Sequence, residues 1–252
     1  IFFNDTISNE IIIDGIYEKN ELDLISKIIG KNNEIFIDVG ANIGNHTLYF
    51  KDSFKEIYSF EPHPKIYQLL KFNTCDFSNI KTYNFGLSNK KKQVKVPLKS
   101  TENVGGNAFK ETQTQGNEIF FENFDGLYDF ENKISFIKID VEGNEYDVLK
   151  SMKKNLKNND PILSLEFDMK DYNDKNEILI FLKNLGYNYF YFYNIKNPFK
   201  TKIRNILSNF FKIIIIGQKS ETELVACKLY KAKHSQNLSN NIIVSKKEIK
   251  LN

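Results

Sequence analysis

The sequence predicts an α/β fold, a mostly parallel sheet with helices on both faces. Three observations carry this. From residue 34 onward, short apolar runs alternate with stretches of helical spacing, the order that βαβ units produce. Those runs, such as Ile35–Val39 and Ile134–Ile139, are near-continuously apolar, as strands covered on both faces are. With 252 residues, 41% hydrophobic and 27% charged, the chain can bury a core without disulfide or metal staples.

Each element follows in order. Residues 1–34 read as a lead-in. Ile11–Ile13 is a short strand and Asp14-Gly15 a turn. Leu22, Ile25, Ile28 and Ile29 recur at helical spacing before Gly30, which predicts an amphipathic helix over Glu18–Ile29. The alternating region gives strands at Ile35–Val39, Glu56–Phe60, Ile80–Phe85, Ile134–Ile139, Ile162–Phe167 and Tyr187–Tyr193. Its helices are Asn45–Phe54, Pro64–Asn73, Glu145–Met152 and Asp174–Leu185. Val94–Pro97 is a shorter strand, followed by a polar stretch, Lys99–Asn117. Ile213–Ile216 and Glu223–Tyr230 form a final pair. Residues 231–252 are polar and read as a tail, so the main domain spans 35–230.

Composition narrows the function. The net charge is only +3, and among 35 basic side chains the single arginine is Arg204. That argues against a nucleic-acid partner and leaves little bidentate guanidinium chemistry. Richness in lysine, asparagine and isoleucine is the background an AT-rich genome produces. Cys75 and Cys227 lie far apart without metal spacing, so a reducing, cytoplasmic compartment is expected. No apolar run approaches the ~20 residues of a membrane span, and the sequence shows no charged n-region followed by a secretory h-region. The chain begins at Ile1, as an excerpt of a longer one would. Pro198–Lys212 interleaves basic and apolar side chains. It suits peripheral contact with an anionic membrane, or a helix on the sheet edge with its lysines solvated; the second is the simpler reading.

The chemistry lies at strand ends. The first strand runs into Asp38-Val-Gly-Ala-Asn-Ile-Gly44, a strand-to-helix turn whose glycines let backbone approach a ligand. The glycine spacing departs from the nicotinamide fingerprint, and an acid before the first glycine suits a ligand with a cationic amine. The second strand ends in Phe60-Glu61-Pro62, where a carboxylate can accept both hydroxyls of a ribose.

These residues, with Asn84-Phe-Gly-Leu-Ser88 and Phe136-Ile-Lys-Ile-Asp-Val-Glu-Gly-Asn-Glu-Tyr-Asp-Val-Leu149, resemble the FkbM family of S-adenosylmethionine-dependent methyltransferases over roughly residues 35–190. The resemblance implies a class I methyltransferase (Rossmann-like) fold with a mostly parallel seven-stranded sheet. It implies S-adenosylmethionine as cofactor and O-methylation of a sugar, glycan or natural-product hydroxyl. By position, Asp38, Gly40, Asn42 and Gly44 would cradle the methionine part and Glu61 the ribose. Asn84, Gly86 and Leu87 would flank the adenine.

The remaining candidates come from the chemistry. An unactivated hydroxyl needs a base, and ligands of open α/β sheets bind beyond the carboxyl ends of strands. Asp140 and Glu142 are there, with Glu145, Glu166 and Asp168 nearby; Glu145 also suits a helix first turn. Asp140, Glu142 and His46 are the catalytic candidates. Asp140, Glu142 and Glu166 offer the oxygens that a hard divalent cation takes, but would serve a sugar equally, and no metal is assigned. The segment 99–118, with Asn103-Val-Gly-Gly-Asn107, reads as an acceptor-side lid. A dehydrogenase, a nucleic-acid methyltransferase and a non-catalytic binding module are the competing readings.

Overall fold

The computed structural model describes residues 10–12, 15–31, 33–97, 116–130, 132–167, 176–196, 221–226 and 238–249. Five parallel strands form the heart of its main sheet. They are β1 (Asn33–Val39), β2 (Phe54–Phe60), β3 (Ile80–Tyr83), β7 (Ile134–Ile139) and β8 (Ile162–Glu166), in the order β3-β2-β1-β7-β8. The crossovers carry helices α2 (Asn45–Tyr49), α3 (Pro64–Thr74), α5 (Glu145–Ser151) and α6 (Lys153–Asn159). A small second sheet joins β4 (Gly86–Leu87), β5 (Lys92–Pro97) and β6 (Gly116–Glu122), followed by the short helix α4 (Phe124–Leu127).

Alternate residues of each strand enter separate cores, as the period of two requires. Ile35, Ile37 and Val39 pack with Val148, Leu149 and Leu156 of α5 and α6 and with Leu179 and Leu182 of α7 (Glu177–Asn184). Phe36, Ile57 and Phe136 face the other way, onto Leu22 and Ile25 of α1 (Lys19–Ile29) and onto Phe50 and Phe54. Phe36 meets Phe50, Phe54 and Phe136 at ring-centroid distances of 5.7, 5.3 and 5.2 Å.

Several expectations need correction. The main sheet has eight strands, not seven. Beyond β8 it continues with β11 (Leu238–Ser245), β9 (Tyr189–Lys196) and β10 (Glu221–Ala226), all antiparallel to their neighbours. β11 comes from the segment read as a polar tail. Its Ile242, Ile243 and Val244 are buried, shielded by a strand on each side, so three apolar residues suffice for a strand flanked by asparagine and serine. The domain therefore does not close at residue 230.

The helix expected over Asn45–Phe54 stops at Tyr49, because Phe54 starts β2 opposite Asn33. Residues 10–12 are helical rather than a strand, and the Gly15 N–H donates to the Ile11 carbonyl to close that turn. The polar stretch ends in β6, which alternates as an antiparallel strand should: Ile119 and Phe121 are buried and Phe120 is exposed. The proposed lid (apart from 116–118), Pro198–Lys212, Ile213–Ile216 and Asp168 lie outside the described residues. Among the described residues no helix is long and apolar enough to cross a membrane.

Candidate active site

The site begins where strand faces change from apolar to polar. Two positions beyond Phe36, Ile57 and Phe136, the same face carries Asp38, Ser59 and Lys138. These are register neighbours and continue to Ser164 on β8, giving a buried row Ser59–Asp38–Lys138–Ser164 across four strands. A buried charge needs partners. Asp38 Oδ2 accepts the Thr47 hydroxyl at 2.6 Å, and Thr47 Oγ1 lies 2.7 Å from Ser59 Oγ. Lys138 Nζ lies 3.7 Å from Asp38 Oδ1 and 3.4 Å from Asp140 Oδ2, and donates to the Gly40 carbonyl at 2.9 Å. Burial alone would lower the Lys138 pKa. The carboxylates of Asp140, Asp38 and Glu18 more than offset it and hold the ammonium above the ordinary lysine range.

Asp38 is 0% exposed, and with Oδ2 taken by Thr47 its Oδ1 has no hydrogen-bond partner among the described residues, the Lys138 ammonium being 3.7 Å away. Its role is to anchor the turn that follows. Gly40 has φ +77°, and a Cβ there would stand 1.9 Å from the Asp140 carbonyl oxygen. The turns after β1 and β7 therefore meet backbone to backbone, and only glycine fits. Gly44 faces Leu70 of α3. Asn42 also has positive φ, and its N–H donates to Glu61 Oε2 at 3.1 Å.

Glu61 ties the β1 and β2 ends together, since its Oε1 also accepts the His63 N–H at 2.8 Å. Burial pushes its pKa up to about 7, against the pull of those two donors. Asn84 Nδ2 donates to the Glu61 and Pro62 carbonyls at 2.9 and 3.1 Å, so it holds the Glu61 turn. Gly86 and Leu87 form β4. A Cβ on Gly86 would strike the Phe121 ring, and the Leu87 side chain sits in the core. Neither offers a side chain to a ligand.

The third cluster stands at the ends of β7 and β8. One oxygen each of Asp140, Glu142 and Glu166 lies within 4.8 Å of the others. Burial, then the charges of Asp140, Glu142 and Glu145, push Glu166 up to about 7. Glu142, with φ +53°, is also raised, by burial and then Asp140. Glu145 Oε1 accepts the Gly143 N–H at 2.9 Å and so braces this turn, the structural role its place in a helix first turn suggested.

His46 does not fit the catalytic expectation. It is 7% exposed, and burial, reinforced by Lys138, pushes its pKa down to about 4, a weak base for activating a hydroxyl. It faces Glu18 and Glu21 of the lead-in instead. Sequence reasoning missed Lys138, Glu18 and Glu21. Lys138 had a signal, an ammonium inside the apolar run Phe136–Ile139. Glu18 had none, because its contact with His46 depends on a pairing of Tyr17 with Asn45, far away in the chain.

Known proteins share this fold. A curated methyltransferase, sdnD from Sordaria araneosa, is 28% identical over 160 residues, 48% of this chain and 61% of that protein. The aligned part thus spans about three fifths of that relative's length. The crystal structure of methyltransferase FkbM from Methylobacillus flagellatus KT is 20% identical, with a TM-score of 0.47 over 64% of this chain and 40% of its own. An S-adenosylmethionine-dependent O-methyltransferase from Thermotoga maritima, 12% identical, shares the fold with a TM-score of 0.50 over 96% of this chain and 71% of its own. Residues 38–189, more than half of the chain, match the methyltransferase FkbM domain. The chain therefore belongs to the FkbM family of methyltransferases, whose methyl donor is S-adenosylmethionine.

Proposed function

We propose that the chain transfers the methyl group to a hydroxyl of a sugar, glycan or small natural product. Glu166 carries this reading: a carboxylate with a pKa of about 7 at the carboxyl end of β8, beside Asp140 and Glu142. A hydroxyl is a weak nucleophile and needs a base poised near the working pH. The donor, when bound, supplies a methyl group on a sulfonium with a neutral thioether as leaving group. The protein's part is in-line positioning and acceptance of one proton. Glu166 accepts the hydroxyl proton, and Asp140 and Glu142 orient the acceptor as hydrogen-bond acceptors.

The residues present fit this donor. Asp38, Asp140 and Glu142 outnumber the Lys138 ammonium among them, so the site has an acidic surplus suited to a cation. Glu61, raised by burial, is the group whose ionised form two ribose hydroxyls would favour. A nucleic-acid acceptor finds no support in a net charge of +3 with one arginine. Peripheral membrane contact would rest on residues outside those described and adds nothing to the reading.

Two outcomes are expected. Glu61→Ala weakens binding of S-adenosylhomocysteine by roughly 10- to 100-fold in calorimetric titration, the loss of charge-assisted hydrogen bonds. Turnover on a panel of sugars and sugar nucleotides rises with pH through about 7, as Glu166 gives up its proton. Glu166→Gln removes that rise and lowers kcat by roughly 10²–10⁴-fold with cofactor binding intact. An unchanged pH profile in Glu166→Gln would overturn the assignment of the base.

A further inference from the structure

Glu18, Glu21 and His46 form a second ligating group, and the methyl-transfer reading does not use it. One ligating atom from each lies within 4.8 Å of the others. The geometry has a local cause. Glu18 caps α1 with φ +54°, and Glu21 follows one turn later on the same face. His46 stands in the first turn of α2. The two helix starts are clamped by a reciprocal pair: the Tyr17 N–H donates to Asn45 Oδ1 at 3.2 Å, and Asn45 Nδ2 donates to the Tyr17 carbonyl at 2.9 Å. Glu21 is held from behind by Asn241 Nδ2 of β11, at 3.1 Å.

His46 supplies the second observation. Its ring is more than nine-tenths buried and aimed at the two carboxylates, yet it has no hydrogen-bond partner among the described residues. A nearly enclosed ring set against two carboxylates and hydrogen-bonded to neither is placed to share a ligand with them. A cation fits that arrangement. One imidazole nitrogen with two carboxylate oxygens is a donor set for zinc, manganese or iron; magnesium and calcium prefer oxygen alone.

We propose that Glu18, Glu21 and His46 bind one divalent transition-metal ion, which pins the lead-in to the start of α2 beside the glycine turn. The test is titration of the metal-stripped full chain with Co²⁺, read by its visible absorption, followed by displacement with Zn²⁺. The expected result is saturation at one equivalent. Glu18→Gln and His46→Gln should each lower affinity roughly tenfold or more, and His46→Gln should shift the absorption bands as a nitrogen ligand is lost. Glu18 is half-buried, so its variant keeps the test open if the His46 variant does not fold, as judged by circular dichroism. Glu166→Gln should bind Co²⁺ as wild type does. The proposal is overturned if the wild type shows no saturable binding, if the folded variants bind like wild type, or if Glu166→Gln alone loses the ion.

Discussion

Gly40→Ala should lower stability by at least about 3 kcal/mol, a drop of roughly 10 °C in Tm for a domain of this size, and abolish cofactor binding. Two separate costs combine. The left-handed φ of +77° disfavours any side chain, and the new methyl would lie 1.9 Å from the Asp140 carbonyl oxygen, which is backbone and cannot step aside. Relief requires the β1 and β7 turns to part. That would pull Asp140 from Lys138 and Asn42 from Glu61. Gly143→Ala is the control. It has φ +95° but nothing within 4 Å of its missing Cβ, so it should cost only the left-handed penalty of roughly 1–2 kcal/mol. Thermal melts of both variants beside wild type decide the matter. Equal losses would mean that backbone conformation, and not the close approach, makes Gly40 necessary.

Lys138→Met should cost roughly 3–5 kcal/mol, the range for removing one partner of a buried charge pair. The thioether fills the same space, so packing is nearly preserved. What is lost is the ammonium between Asp38, which has no contact with water, and Asp140. Adding Asp38→Asn should recover at least half of the loss, because asparagine can still accept the Thr47 hydroxyl without bringing a charge. Urea unfolding of the four proteins at neutral pH gives the coupling directly. A loss below about 1 kcal/mol in the single variant would show that water reaches Asp38 and replaces the ammonium.

The parallel half of the fold was legible because its physics is local. Doubly covered strands are apolar throughout, and β7 falls on the residues its periodicity indicated, Ile134–Ile139. The strand ends were legible because Asp38, Glu61 and Asp140 interrupt apolar runs. What those carboxylates touch was not legible. Asp38 faces inward only because Thr47, Ser59 and Lys138 meet it across three elements, and no spacing within one segment encodes that meeting. The same holds for Glu18 and His46. β11 was hidden for another reason: a strand with a neighbour on each side needs few apolar residues of its own, so its composition resembled a solvent-exposed end.

The position of β11 sets an order of events on the ribosome. β8 and β9 are not neighbours; β11 lies between them, and among the described strands it comes latest in the chain. Until residue 245 has emerged, the β8 edge is an open row of unpaired amides and carbonyls, and β9 with β10 has no place to dock. The nascent chain therefore carries an adhesive sheet edge until β11 is made, the condition that favours capture by chaperones or pairing with a second nascent copy. Closure of the sheet at this edge waits on a contact between β11 and a strand made some eighty residues earlier.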